Sequence, residues 1–262
     1  MQNYSRIKQN RTDMQDEIVG CGNFLAVSYG VSISRIKRNG HIYSIINAPN
    51  LDIVGSRCAK YVEFLIKNEL ENVFKIKAYK NIIFFGLGNE NITADALGGK
   101  VVKKLFVSKD LEFDCQTCAV CPSVQAKTGL ETADIIKAIT KEFQPDLVVF
   151  FDTLASSTIE RLGCCFQINN EGIAAGSGVG NINKMMNKKF LGTNCIVCGV
   201  PFMIYADKVI KSNKKDILND FVLTPKNIDR QINNCAEIIS NSFNYALFPE
   251  LSKEEINNII SF

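Results

Sequence analysis

The chain has 262 residues, 46% apolar and 22% charged, which is the balance of a folded chain with room for a sizeable core. That excludes a disordered chain, a collagen-like repeat and a coiled coil. Thirty basic against 27 acidic residues leave a net charge of +3, too slight an excess to argue for nucleic acid. Residues 1–20 are polar, carry no amphipathic period and lack the apolar core of a signal peptide, so the expectation is a loosely held leading segment on a cytoplasmic protein. Residues 23–52 hold short apolar runs with Arg38-Asn39-Gly40 as a hairpin signal, which predicts an antiparallel β-meander. Ala59, Val62, Leu65, Ile66 and Leu70 recur at helical spacing and predict a helix over 55–72.

The rest alternates strands and helices. Asn81-Ile-Ile-Phe-Phe-Gly86 reads as a buried strand ending in glycines, and Ala94 to Phe106 as a helix capped by Thr93. Cys115 to Cys121 reads as a surface loop. Thr132 to Phe143 is helical, stopped by Pro145, and Leu147-Val-Val-Phe-Phe-Asp152 is a second apolar strand. A helix over 156–162, a strand over Cys164–Ile168, a glycine-rich loop over 172–181 and a strand over Asn194–Pro201 follow. Cys195 to Ala206 is the longest apolar run and is too short to cross a bilayer as a helix. Thr224-Pro225 predicts the start of a long helix with Ile228, Ile232, Cys235, Ile239 and Phe243 as its stripe. Ser252 and Glu255 form a capping box for a last short helix. Apolar strands alternating with helices predict a layered α/β fold.

A single histidine, His41, limits the chemistry, because every Ser-His or Cys-His mechanism would have to use it. Carboxylates are plentiful, and in an α/β sheet reactive groups gather beyond the C-terminal ends of the strands. Asp152 ends one apolar strand, and Asp95 follows another by a short loop. If the strands are neighbours, the two carboxylates approach, one pKa rises, and the pair holds an acid and a base for activating water against a peptide carbonyl. The plainer alternatives are a first-turn Asp favoured by the helix dipole and a strand-end Asp capping a loop. Cys115, Cys118 and Cys121 have the spacing of metal ligands, as do Cys195 and Cys198. The latter pair sits in a strand, where alternation sends the thiols to opposite faces. The expectation is therefore no metal, with a site on Cys115, Cys118 and Cys121 as the alternative. The spacing of Gly176, Gly178 and Gly180 is not that of a dinucleotide fingerprint; the loop reads as a tight turn whose N–H groups hold a peptide or an oxyanion.

Several segments, in order, resemble one family. They are Arg11-Thr-Asp13, Gly86-Leu-Gly-Asn-Glu-Asn-Ile-Thr-Ala-Asp-Ala-Leu-Gly98, Thr128-Gly-Leu-Glu-Thr132, Asp146 through Glu160-Arg161, Gln167 through Gly176-Ser-Gly-Val-Gly-Asn181, Gly199-Val-Pro201 and Thr224-Pro-Lys-Asn-Ile-Asp229. Together they resemble the bacterial germination proteases, or spore proteases. The resemblance implies an atypical aspartic endopeptidase that cuts small acid-soluble spore proteins during germination, in the spore core of an endospore former. Its implied catalytic residues are Asp95 and Asp152, with Glu160, Arg161, Gly176, Ser177, Gly178, Gly180 and Asn181 binding substrate or supporting the site. It further implies a homotetramer with no cofactor, no membrane and no direct nucleic-acid contact. The implied fold is a three-layer α/β sandwich with a mostly parallel central sheet, similar to hydrogenase maturation endopeptidases, plus the N-terminal meander. It also implies a zymogen, with a pro-segment over 1–20, a peptidase domain over 21–262, and self-cleavage between Asp13 and Met14. Ala174-Ala175 stand where the family often has His-Pro, Ala94 replaces a usual proline, and Thr153 a usual alanine. A catalytically silent spore protein of the same fold, acting as a binding partner, is the alternative.

Overall fold

The computed structural model describes residues 23–51, 56–109, 111–174, 184–210, 218 and 221–260. β1 (Asn23–Ser28), β2 (Val31–Arg38) and β3 (His41–Asn47) form the expected meander. Its second turn has φ of 50° at Asn39 and 82° at Gly40, the left-handed pair that a two-residue hairpin favours. α1 (Arg57–Asn72) begins where the Ser56 hydroxyl accepts the Ala59 N–H at 3.1 Å. A buried carboxylate ties it to the meander: Glu69 accepts Arg35 Nη2 at 2.7 Å and the Ser44 hydroxyl at 2.5 Å.

β4 (Asn81–Gly86), α2 (Leu97–Val102), β5 (Gln116–Val120), α3 (Thr132–Phe143), β6 (Leu147–Ser156) and β7 (Cys165–Asn169) follow. Then come β8 (Ile173–Ala174), β9 (Met185–Met186), α4 (Lys188–Leu191), β10 (Asn194–Tyr205), β11 (Val222–Leu223), α5 (Ile228–Leu247) and α6 (Lys253–Ile260). Among the described residues nine strands make one sheet, ordered β1-β2-β3-β7-β10-β6-β4-β5, with β11 on β10. β1, β3, β4, β5, β6 and β10 share one direction, opposed by β2, β7 and β11. The meander is thus no separate appendage: β7 joins it to the parallel half.

Strand alternation divides the core into two faces. Phe84, Val149, Phe151 and Cys198 pack under α1, α2 and α5, while Phe85, Val148, Phe150 and Cys195 pack under α3 and α4. Helices therefore cover both sides of the sheet, which makes three layers. Cys195 and Cys198 fall on opposite faces, as strand alternation requires. The Ser252–Glu255 capping box is present, with reciprocal N–H donations of 2.8 and 3.2 Å.

Four local expectations need correction. The helix over 156–162 is not formed; β6 continues to Ser156 because Ala155 and Ser156 pair with Met203 and Ile204 of β10, and only a 3-10 turn, Ile159–Arg161, follows. The helix from Ala94 to Phe106 is split into a 3-10 turn, Thr93–Asp95, and α2, with Ile92 rather than Thr93 at the cap. The middle of the thiol segment, Gln116–Val120, is the edge strand β5, with Cys115 and Cys121 flanking it. The long C-terminal helix starts at Ile228 with Asn227 at its cap, so Thr224 caps nothing there.

Candidate active site

β4 and β6 are parallel neighbours whose pairing ends at Gly86 and Phe151. The Leu87 N–H extends it by one bond, donating to the Phe151 carbonyl at 2.8 Å. The next residue on β6 is Asp152, 8% exposed, whose Oδ1 accepts the Thr153 N–H at 2.8 Å. Beyond β4 the chain turns at Gly88 and returns through the 3-10 turn that ends in Asp95. Gly88 has φ of +95°, and a Cβ there would stand 2.1 Å from the Asp95 carbonyl and 2.8 Å from Asp95 Oδ1. Only glycine passes beneath the carboxylate in that conformation. The Asn89 N–H then donates to Asp95 Oδ2 at 2.7 Å. Asp95 and Asp152 are thus brought to adjacent strand ends, each with one backbone N–H bound.

A second close approach fixes the turn over β6. A Cβ on Gly98 would lie 2.4 Å from both the Leu87 and the Phe151 carbonyl oxygens, so α2 rests directly on the strand backbones. At the other end of the turn, Ala94 packs against Ala155, Met203 and Tyr205. Gly199 of β10 pairs with Asp152, and a Cβ there would meet the Asp152 carbonyl at 2.8 Å.

Burial pushes the Asp95 carboxyl above the ordinary aspartate range, and the Asn89 N–H opposes this only in part. A carboxyl raised in the folded state binds its proton more tightly folded than unfolded. The resulting penalty is present above the folded midpoint and fades as pH falls through it toward the ordinary value. Asp95→Asn, which can still accept the Asn89 N–H, is therefore expected to melt higher than the wild type at about pH 7 and to match it near pH 4. Thermal scans at the two pH values check this; an Asn variant that melts lower at both would remove burial as the dominant influence.

Arg161 is buried, with Nη2 3.1 Å from the Cys165 thiol, while the Glu160 side chain is exposed. Gly176, Ser177, Gly178, Gly180 and Asn181 lie outside the described residues, as do Asp13 and Met14. Cys115 and Cys118 are on opposite sheet faces: Cys115 packs beside Phe106 and Phe248, and Cys118 beside Ile83 and Phe85. Burial holds the Cys115 thiol at about 11 and raises Cys118 and Cys121 as well, which disfavours the thiolates a metal needs. Among the described residues no three His, Cys, Asp or Glu side chains are grouped to hold a metal ion. His41 Nδ1 lies 3.2 Å from the Asn170 carbonyl, on β3 and away from the strand ends that carry the aspartates. Sequence reasoning missed the Asn89 N–H, the Gly98 stacking and Thr153; the tight Gly86-Leu-Gly88-Asn89 spacing was the available signal.

Fold and site together define an α/β protein with two acidic residues, Asp152 buried and Asp95 half-buried, at the carboxyl edge of the parallel half of its sheet. The sequence profile of the germination proteases matches residues 25–221. The germination protease of Clostridium tetani is 32% identical over 265 residues, covering 84% of this chain and 82% of its own length. That of Clostridium acetobutylicum is 30% identical over 276 residues, covering 87% and 84%. The [NiFe] hydrogenase maturation protease HycI from Thermococcus kodakarensis is similar over 66% of this chain and 97% of its own, at 21% identity and a TM-score of 0.39. The chain belongs to the germination protease family and is, at that level, a peptidase. Among the described residues no helix is long and apolar enough to cross a membrane.

Proposed function

We propose that Asp95 and Asp152 act as a pair to hydrolyse peptide bonds in small acid-soluble spore proteins during germination. One observation carries this reading: Asp152 follows the last β6 residue paired with β4, the turn beyond β4 carries Asp95, and each carboxylate has a backbone N–H already on one oxygen. Asp95, whose carboxyl burial pushes upward, is assigned the acid, and Asp152 the base. Asp152 takes a proton from a water as its oxygen bonds to the scissile carbonyl carbon. Asp95 gives its proton to the carbonyl oxygen. The tetrahedral diol then collapses: one of its hydroxyls returns a proton to Asp95 as the C=O re-forms, the C–N bond breaks, and the leaving nitrogen takes the proton from Asp152. Arg161, Glu160 and the loop from Gly176 to Asn181 are assigned to binding the peptide. In this scheme the enzyme is a homotetramer in the spore core and needs no metal.

The test is digestion of a purified small acid-soluble spore protein by the full chain, with and without EDTA. Cleavage is expected in both. Activity that EDTA abolishes and zinc restores would overturn the carboxylate scheme.

The same reading makes the chain a zymogen. The polar segment before Asp13 can detach at little cost in core burial, and Arg11-Thr-Asp13-Met14 resembles an acidic-then-apolar cleavage site. Acidification protonates the raised carboxyl of Asp95 and reduces the negative charge carried by Asp13, Asp16 and Glu17. Mass spectrometry after incubation at about pH 5–6 is expected to find the chain shortened to Met14 in the wild type and intact in Asp152→Asn. A full-length chain that digests substrate at full rate would show that the segment does not inhibit.

A further inference from the structure

Thr153 follows Asp152 on β6 and touches the site in two ways. Its N–H donates to Asp152 Oδ1 at 2.8 Å. By alternation its Cβ leaves the strand on the face of Phe151 and Ala155, opposite the Asp152 Cβ, but the Asp152 carboxylate folds back along the strand onto the Thr153 N–H, which brings its Oδ1 to the strand edge that both faces share. Two contacts identify what covers the face of Thr153. Gly98 rests on the Phe151 carbonyl, and Ala94 packs against the cluster of Ala155, Met203 and Tyr205. The stretch from Ala94 to Gly98 therefore runs across Thr153, and Asp95 lies within it. Thr153 is 8% exposed, and its Oγ1 is fully buried with no hydrogen-bond partner. A buried hydroxyl left unpaired carries a desolvation cost and calls for a reason.

We infer that Thr153 is the third anchor of the hydrolytic water, its Oγ1–H donating to a water held between Asp95 and Asp152. This rests on the reading of the two aspartates as the catalytic pair. A water in a buried polar site needs two to four partners. The hydroxyl and one oxygen from each carboxylate supply three. A water that accepts from Thr153 and donates to Asp152 keeps its second lone pair for the carbonyl carbon. The hydroxyl thereby sets the direction of attack, and through the water it also favours the ionised form of the carboxyls it reaches. The other titratable groups around the turn are Asp152 on β6, Tyr205 on β10, Glu90 paired with Lys103 at 2.7 Å beside Gly99, and Lys100, which reaches Asn233 of α5 at 2.8 Å. Asp229 and Arg230 of α5 are exposed.

The experiment compares Thr153→Ala, Thr153→Val and Thr153→Ser in the full chain, with folding checked by thermal melting. The first readout is the titration midpoint of the Asp95 carboxyl carbon by NMR on aspartate-labelled protein, assigned with Asp95→Asn. The second is kcat and KM on a small acid-soluble spore protein. Thr153→Ala and Thr153→Val are expected to raise the midpoint by about half a unit or more. They should lower kcat about tenfold with KM changed less than about twofold, and to move the acid limb of the pH profile upward. Thr153→Ser, which keeps the donor, should restore all of these. An unchanged midpoint and kcat in the Ala and Val variants would overturn the inference, as would losses that Ser fails to restore. A wild type that cleaves no substrate brings down the dyad reading instead. The NMR titration then still decides whether the hydroxyl reaches Asp95.

Discussion

Asp95→Asn and Asp152→Asn are each expected to lower kcat/KM for peptide hydrolysis by at least about 10³-fold. Both substitutions conserve shape, and an asparagine oxygen can still accept the Asn89 or Thr153 N–H that now binds each carboxylate. The fold should therefore survive, and the loss should measure chemistry. Asparagine can neither take the proton from water nor give one to the carbonyl oxygen. Because acid and base serve one transition state, the double variant should be little worse than the worse single one. Cleavage of a small acid-soluble spore protein, followed by mass spectrometry alongside melting curves, checks both statements. Full activity in either single variant removes that residue from the mechanism.

Gly98→Ala should be a severely damaging single methyl. Its Cβ would fall 2.4 Å from the Leu87 and Phe151 oxygens and 2.5 Å from the Leu87 nitrogen. All three are backbone atoms of β4 and β6 or their extension, so no side chain can swing aside. Relief requires α2 to lift from the sheet, at a cost of about 3 kcal/mol for overpacking of this kind, or a melting point lower by roughly 6–12 °C for a chain of this size. The turn bearing Asp95 is continuous with α2, so the carboxylate moves too, and a displacement near 1 Å can cost about 10²-fold in rate. Gly129→Ala is the control: its φ is +70°, but nothing lies within 4 Å of the added methyl, so its effect should be confined to local backbone strain. Thermal melts and kcat on the two variants make the comparison. A Gly98→Ala enzyme as stable and active as the control would refute the packing described.

What the sequence made legible depended on how local the cause was. Paired phenylalanines at 84–85 and 150–151 announce strands covered on both faces, and the core divides them accordingly. The hairpin at Asn39-Gly40 and the box at Ser252 and Glu255 are settled within a few residues. Asp152-Thr-Leu-Ala-Ser156 was harder, because its extension as strand comes from β10, some fifty residues later. Cys115 to Cys121 gains its strand character from pairing with β4. That Asp95 and Asp152 belong to neighbouring strand units was readable, although β6 runs on through Asp152 to Ser156. The support beneath Asp95 was not, since Gly88, Asn89 and Gly98 act by touching backbone remote in the sequence.

The strand order has a consequence for biosynthesis. β10 lies between β7 and β6, yet it is the last long strand to leave the ribosome. When β7 has been made, both aspartates already exist, but the meander and the parallel half have nothing between them to join. Closing that gap is a long-range event, slow by comparison with local hairpin and helix formation. A nascent or truncated chain that stops short of Asn194 thus contains every acidic group of the site and lacks the strand that walls it. The order of synthesis delays the finished carboxyl edge until nearly the whole polypeptide has emerged, so proteolytic competence comes late in the life of the chain even before any leading segment is considered.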